Sequence, residues 1–184
     1  TPAGARSFKL TAAPTYATPP VISAMAFSPD GKLLAVSGYH EVLLLGGAES
    51  NIVARLVGES PRIESLAFSP DGKRLAVAGS APARFGEIQL WDSGSTNVVI
   101  GPQKSWKLAP DSLYGVSWSP DGEHFASMSH GELNVVEATS GSTTVLPEAT
   151  AALDVGVAII GLRGVPPPGD RIPYVTSTSA ARRR

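Results

Sequence analysis

The sequence predicts an all-β fold built from repeated hairpins. Three stretches are near-copies of one another: MAFSPDGKLLAVSG at 25–38, LAFSPDGKRLAVAG at 66–79 and VSWSPDGEHFASMS at 116–129. In each copy an alternating apolar run enters a Ser-Pro-Asp-Gly stretch and leaves by another apolar run, which is typical of two antiparallel strands joined by a tight turn. The chain has no convincing helical period, so we expect strands throughout.

The Ser-Pro-Asp-Gly stretches are explained by turn chemistry. Proline presets φ at the first corner, aspartate accepts hydrogen bonds from nearby backbone amides, and glycine adopts the left-handed conformation that starts the second strand. Structural roles in turns are therefore predicted for Pro29, Asp30, Gly31, Pro70, Asp71, Gly72, Pro120, Asp121 and Gly122.

Each hairpin is followed by two more candidate strands. The third strand of each unit is EVLLLG at 41–46, EIQLWD at 87–92 or ELNVVE at 132–137, and the fourth is predicted at 51–58, 97–101 or 143–147. The chain therefore reads as about three four-stranded antiparallel units.

An aromatic residue stands at the same position before each turn. These residues are Phe27, Phe68 and Trp118, and we expect their rings to fill the space between neighbouring sheets. Phe27 and Phe68 are 41 residues apart, and Phe68 and Trp118 are 50 apart, close to the period of a propeller blade. The spacing predicts β-propeller blades.

The units resemble WD-repeat β-propeller blades over about 21–147. Trp91-Asp92 ends the third strand of the middle unit, where that family has its Trp-Asp dipeptide. The first and third units depart from the pattern, with Leu45-Gly46 and Val136-Glu137 at that place, and Gly58-Glu59 replaces the family's Gly-His. The resemblance implies structural roles for Trp91 and Asp92, and a scaffold that binds other proteins without catalysis.

The predicted organisation is an incomplete ring. It has an irregular lead-in at 1–20, blades at about 21–58, 62–101 and 112–147, and a strand-like remnant with a disordered tail at 148–184. Propellers close with four to eight blades, so three leave two open faces. We expect a fragment of a longer propeller. Self-association through the open faces and a partial fourth blade from the C-terminal region, which has a candidate strand at 153–161, are the alternatives.

A narrower resemblance concerns 18–45, 62–79 and the runs RFGEIQLWD and LYGVSWSPDG. They look like the propeller segment of large bacterial proteins that carry a c-type cytochrome domain upstream. The resemblance implies a haem in a neighbouring domain and a periplasmic or cell-envelope location. The chain has no cysteine, so no haem is expected to attach within it.

Composition argues against several functions. The formal net charge of −1 gives no field that would attract nucleic acid. The most apolar late run, 151–162, contains Asp154 and is too short for a membrane span. The serines at 93–95 and 140–142 are interpreted as hairpin linkers rather than nucleophiles, so no enzyme activity is expected.

No metal site is predicted either. His40 and His130 occupy equivalent loops, but no paired carboxylates stand at ligand spacing beside them, and each turn aspartate is a single carboxylate. His124 is interpreted as a solvent-facing strand residue.

The best candidate for contact with a protein partner is the loop at 80–86. It holds the adjacent pair Arg84 and Phe85, residue types enriched at interfaces. Trp106, in the other insertion, is expected to join them.

Overall fold

The computed structural model describes residues 6–9, 16–17, 19–46, 51–129 and 132–146. This part of the chain contains strands and no helix, and therefore no helix that could cross a membrane. The strands are β1 (Arg6–Phe8), β2 (Met25–Phe27), β3 (Leu33–Ser37), β4 (Glu41–Gly46), β5 (Asn51–Val57), β6 (Arg62–Phe68), β7 (Arg74–Ala81), β8 (Phe85–Asp92), β9 (Val98–Ile100), β10 (Lys104–Ala109), β11 (Gly115–Trp118), β12 (His124–Ser129), β13 (Glu132–Glu137) and β14 (Thr143–Leu146).

The strands form three sheets. The first has the order β1-β9-β5-β4-β3-β2, the middle one β10-β8-β7-β6, and the third β11-β12-β13-β14. Each contains four antiparallel strands that lie side by side, as the repeats predict. The predicted all-β fold of propeller-like blades is confirmed, and the described residues do not close a ring.

The fourth strand of the middle sheet differs from the prediction. Residues 97–101 were expected there, but β9 at Val98–Ile100 joins the first sheet, parallel to β5, and β10 takes the place beside β8. The physical reason is the alternation of Trp106 and Leu108, whose side chains pack on the core between the middle and third sheets. The middle blade therefore extends to Ala109 rather than ending at 101.

The lead-in at 1–20 also differs, because β1 within it pairs antiparallel with β9. The candidate strand at 153–161 and the tail at 148–184 lie outside the described residues.

The three Ser-Pro-Asp-Gly turns share one hydrogen-bond pattern. Gly31, Gly72 and Gly122 have φ of +70°, +70° and +72°, which is the left-handed region. The amide of Gly31 donates to the carbonyl of Ser28 at 2.9 Å, and the other two glycines donate to Ser69 and Ser119 in the same way.

The serine at the start of each turn is a participant that sequence reasoning missed. The Ser28 hydroxyl donates to Asp30 Oδ1 at 2.7 Å and accepts from the Leu33 amide at 2.9 Å. Ser69 and Ser119 repeat both bonds in the other turns. Each serine thereby ties the turn aspartate to the first residue of the next strand.

These bonds favour the ionised aspartates. The Ser28 hydroxyl and the Lys32 amide lower the pKa of Asp30 to about 2. Hydrogen bonds from Ser69 and Ser119 likewise lower the pKa of Asp71 and Asp121. The turns are therefore most stable with charged carboxylates.

Two hydrophobic cores lie between the sheets, and the middle sheet contributes a face to each. The core between the first and middle sheets contains Ala35, Val42, Leu44, Ala54, Leu56, Ile63, Leu66, Leu75, Val77 and Trp91. The core between the middle and third sheets contains Ala76, Ala78, Ile88, Leu90, Ala109, Leu113, Trp118, Phe125, Val136 and Ala138. Alternate residues of β7 and β8 enter opposite cores because successive strand side chains point to opposite faces.

Candidate interaction surface

The connections between strands fall at two ends of the sheets. The Ser-Pro-Asp-Gly turns lie at one end, which we call the turn end. Because antiparallel connections alternate, the links that follow β3, β5 and β7 lie at the other, which we call the loop end.

A line of side chains joins the first and middle sheets at the loop end. His40 packs edge-on against Tyr39, with ring centroids 4.4 Å apart, and its Nδ1 lies 3.1 Å from the Glu59 carbonyl oxygen. Glu59 pairs with Lys107 at 3.4 Å, and the Lys107 ammonium lies 4.3 Å from the centroid of the Phe85 ring. These five residues form one surface, which we call the loop surface.

The loop surface is accessible. Tyr39 is 63% exposed, and the side chains of Glu59 and Lys107 are 66% and 53% exposed. The loop tips are sharply bent, since His40 and Ala83 have φ of 59° and 57°, and the Ala83 amide donates to Asp111 Oδ1 at 3.0 Å. Backbone geometry and hydrogen bonds therefore hold the surface in place.

The structure brings together only part of the predicted contact group. Phe85 belongs to the loop surface, and Arg84, which precedes it in the chain, is exposed. Trp106 lies on the opposite face of the middle sheet, where its ring packs 5.4 Å from that of Phe125. Tyr39, Glu59 and Lys107 were missed because only the pairing of neighbouring sheets places them beside Phe85.

A cleft of about 510 Å³ adjoins the loop surface at Tyr39. Its walls come from the lead-in, from the link between the first two sheets and from the start of β6, and include Tyr16, Pro19, Pro20, Pro61, Arg62 and Glu64. The cleft therefore combines aromatic and proline side chains with one cation and one carboxylate.

A buried chain of hydrogen bonds supports the loop end from below. The Ser60 hydroxyl donates to Glu87 Oε1 at 2.6 Å, Gln89 Nε2 donates to the same oxygen at 2.5 Å, and the Trp91 indole donates to Gln89 Oε1 at 3.2 Å. All four residues are almost fully buried. A Cβ on Gly79 would lie 2.4 Å from Ser60 Oγ, so glycine leaves room for this serine.

Trp91 and Asp92, the dipeptide singled out from the sequence, lie in different environments. Trp91 is 2% exposed in the core between the first and middle sheets. Asp92 is exposed, and its Oδ1 accepts from the Gly94 amide at 2.9 Å in the turn after β8. Because β9 belongs to the first sheet, residues 93–95 connect two sheets rather than two strands of one hairpin, whereas 140–142 join β13 to β14.

One group of potential metal ligands occurs in the described part of the chain. Ligand atoms of Asp121, Glu123 and His124 lie within 4.8 Å of one another at the third Ser-Pro-Asp-Gly turn. Asp121 Oδ1 already accepts hydrogen bonds from Ser119 and the Glu123 amide, as its counterparts do in the other two turns. His40 is part of the loop surface, and His130 lies outside the described residues.

Comparison with known proteins agrees with the architecture. The family model described as WD40, "WD domain, G-beta repeat", matches residues 13–42 and 50–81. No curated protein matches the chain. WD40 repeats are generally protein-interaction scaffolds and typically not enzymes. With three sheets of repeated hairpins and these two matches, the chain has a WD-repeat β-propeller-like fold.

Proposed function

We propose that the protein is a non-catalytic interaction scaffold whose loop surface binds a protein partner. The observation that carries the proposal is the continuous contact from Tyr39 through His40, Glu59 and Lys107 to Phe85. An exposed tyrosine and a half-buried phenylalanine beside paired charges provide the aromatic anchors and polar rim of a protein interface.

The neighbouring cleft suggests the form of the partner. Tyr16, Pro19, Pro20, Pro61 and Arg62 are among the residues that line it, so an extended peptide segment would find apolar side chains and a cation. The partner segment would then end beside Tyr39, where the loop surface begins. Binding residues commonly lie on loops that a rigid scaffold holds in position.

The test compares surface variants for binding to proteins in an extract of the source organism. Tyr39→Ala and Arg84→Glu alter the loop end, and Lys32→Ala and Lys73→Ala are matched controls at exposed positions of the turn end. Proteins enriched by the wild type should be lost with the loop-end variants and retained with the controls. Equal retention by all four variants, or no enrichment over a blank matrix, would contradict the proposal.

The finer expectation, an accessory domain beside a c-type cytochrome, stays a prediction. It requires a haem module outside these residues, because the chain has no cysteine. An upstream Cys-x-x-Cys-His motif in the complete gene would support this prediction. A complete gene without such a motif would contradict it.

A further inference from the structure

Among the described residues, no second sheet packs on the outer face of the first sheet, whereas the equivalent faces of the other two sheets each pack on a neighbouring sheet. Phe27, Phe68 and Trp118 occupy equivalent strand positions. Phe68 packs on the core against the first sheet, and Trp118 is 8% exposed, with its indole donating to the Ala67 carbonyl at 3.0 Å. Phe27 is 70% exposed. The first sheet thus presents an aromatic ring of the kind that its neighbours insert into a preceding sheet.

Phe27 is part of a broad apolar face. Because Ala35, Val42 and Leu44 enter the first core, the residues between them in sequence face outward. The strand register sets these outward residues in two rows, which are Phe27, Leu34, Leu45, Ile52 and Met25, Val36, Leu43. Met25 is 65% exposed. The other five residues of the two rows are half-buried. An apolar face of this extent with two exposed large side chains is uncommon on a soluble monomer.

One oxygen of a buried carboxylate on the same face also lacks a hydrogen-bond partner. Glu41 is 2% exposed, and its Oε2 accepts from Arg55 Nε at 2.7 Å, but its Oε1 has no hydrogen-bond partner. Glu87 holds the equivalent position in the middle sheet, where it accepts from Ser60 on the link that follows the preceding sheet. Glu41 therefore lacks the donor that a preceding sheet supplies to Glu87.

The third sheet presents the complementary kind of face. Its outward residues include Ala126, Met128, Leu133 and Val135, because Phe125 and Val136 enter the second core. The corresponding face of the middle sheet, with Ala78 and Ile88, is the one on which Trp118 packs. The first sheet therefore has an outer face whose aromatic ring, Phe27, could pack on another sheet. The third sheet has an outer face, with Met128 and Leu133, of the kind on which such a ring packs; we call it the receiving face.

We propose that a second copy of this chain covers the first sheet, its third sheet receiving Phe27 and Met25. The second copy is favoured because it offers a receiving face of matching architecture, and because a net charge of −1 gives little repulsion between copies. The two joints are identical. Twice three sheets gives a ring of six, within the four to eight that close propellers. A head-to-tail contact that closes in this way forms a dimer rather than a filament.

The association is measured by sedimentation equilibrium and light scattering on the full 184-residue chain. The wild type should be a dimer. Phe27→Asp should weaken dimerisation by more than about 100-fold, because the joint would bury an unpaired carboxylate. Tyr39→Asp is the matched control, since Tyr39 is a similarly exposed aromatic residue on the loop surface and should leave the dimer intact.

Met128→Asp tests the joint from the other side. It should also produce monomers, and an equimolar mixture with Phe27→Asp should associate again, because one intact joint can then form between the two variants. Circular dichroism and thermal melting establish that each variant is folded. If one aspartate variant fails to fold, the mixture is repeated with Phe27→Ser or Met128→Ser.

Three results would overturn the proposal: a monomeric wild type, a dimer unaffected by Phe27→Asp, or open-ended assemblies larger than a dimer. The proposal does not depend on the loop surface. Loss of partner binding by Tyr39→Ala with an intact dimer, or the reverse, would separate the two.

Discussion

The first and middle sheets use nearly the same sequence in different surroundings. Both contain the same hairpin, with the same turn hydrogen bonds and the same glycine φ of +70°. The middle sheet packs on a neighbouring sheet at both faces, whereas in the described part of the chain the first sheet packs on another sheet at one face only. The difference shows that the repeated motif determines the turn, whereas the neighbouring sheet determines how much each strand contributes to stability.

The largest difference between a covered and an open sheet face should appear when the equivalent aromatic residues Trp118 and Phe27 are truncated. Trp118→Ala should lower the free energy of unfolding by about 3–5 kcal/mol, because it leaves a cavity between two sheets. Phe27→Ala should change it by less than about 0.5 kcal/mol, because the ring is exposed. Urea unfolding, at concentrations low enough to keep the chain monomeric, measures both. Equal losses would show that the first sheet's outer face is covered within one chain.

Replacing the turn glycine should lower the free energy of unfolding by a smaller amount, equal in the two sheets. Gly31→Ala and Gly72→Ala should each cost about 1 kcal/mol, because an L side chain resists the left-handed conformation. Neither Cβ would clash, since nothing lies within 4 Å at Gly31 and the nearest atom at Gly72 is 3.5 Å away. Gly115→Ala is the control, with its nearest atom at 3.9 Å and no left-handed φ. Unequal costs at Gly31 and Gly72 would contradict the equivalence of the turns.

The smallest effect concerns pH. The folded state lowers the pKa of Asp30 from 3.8 to about 2, so the unfolded chain binds protons more readily in this range. The contribution of Asp30 is therefore complete above about pH 4 and is lost as the pH falls toward 2. The stability difference between wild type and Asp30→Asn should shrink over that window in urea titrations. A difference that stays constant from pH 6 to pH 2 would show that the turn bonds do not favour the ionised carboxylate.

The parts of the fold that follow from local chemistry could be predicted from the sequence. Proline, aspartate and glycine specify each hairpin regardless of what packs on it, so the first strands of every unit were found. The fourth strand of the middle sheet was not, because both 97–101 and 104–109 can form strands and only packing chooses between them. The alternation of Trp106 and Leu108 was the available signal.

The candidate site divides in the same way. Arg84 and Phe85 are neighbours in sequence and could be found together. Their contact with Lys107, and through it with Glu59, depends on two sheets lying side by side. Trp106 was misplaced because its insertion forms a strand rather than a loop, and the strand turns the ring toward Phe125.

The position of β9 has a consequence for how such a chain changes by gain or loss of repeats. By sequence β9 follows the middle hairpin, but by hydrogen bonding it belongs to the first sheet, between β5 and β1. A deletion of the middle repeat would therefore also remove β9, the parallel neighbour of β5, from the first sheet. A duplication would create two copies of β9 that compete for the same position beside β5. We therefore expect a gain or loss of repeats to keep the first two together, whereas the third, whose four strands are consecutive in the chain, shares no strand with another sheet.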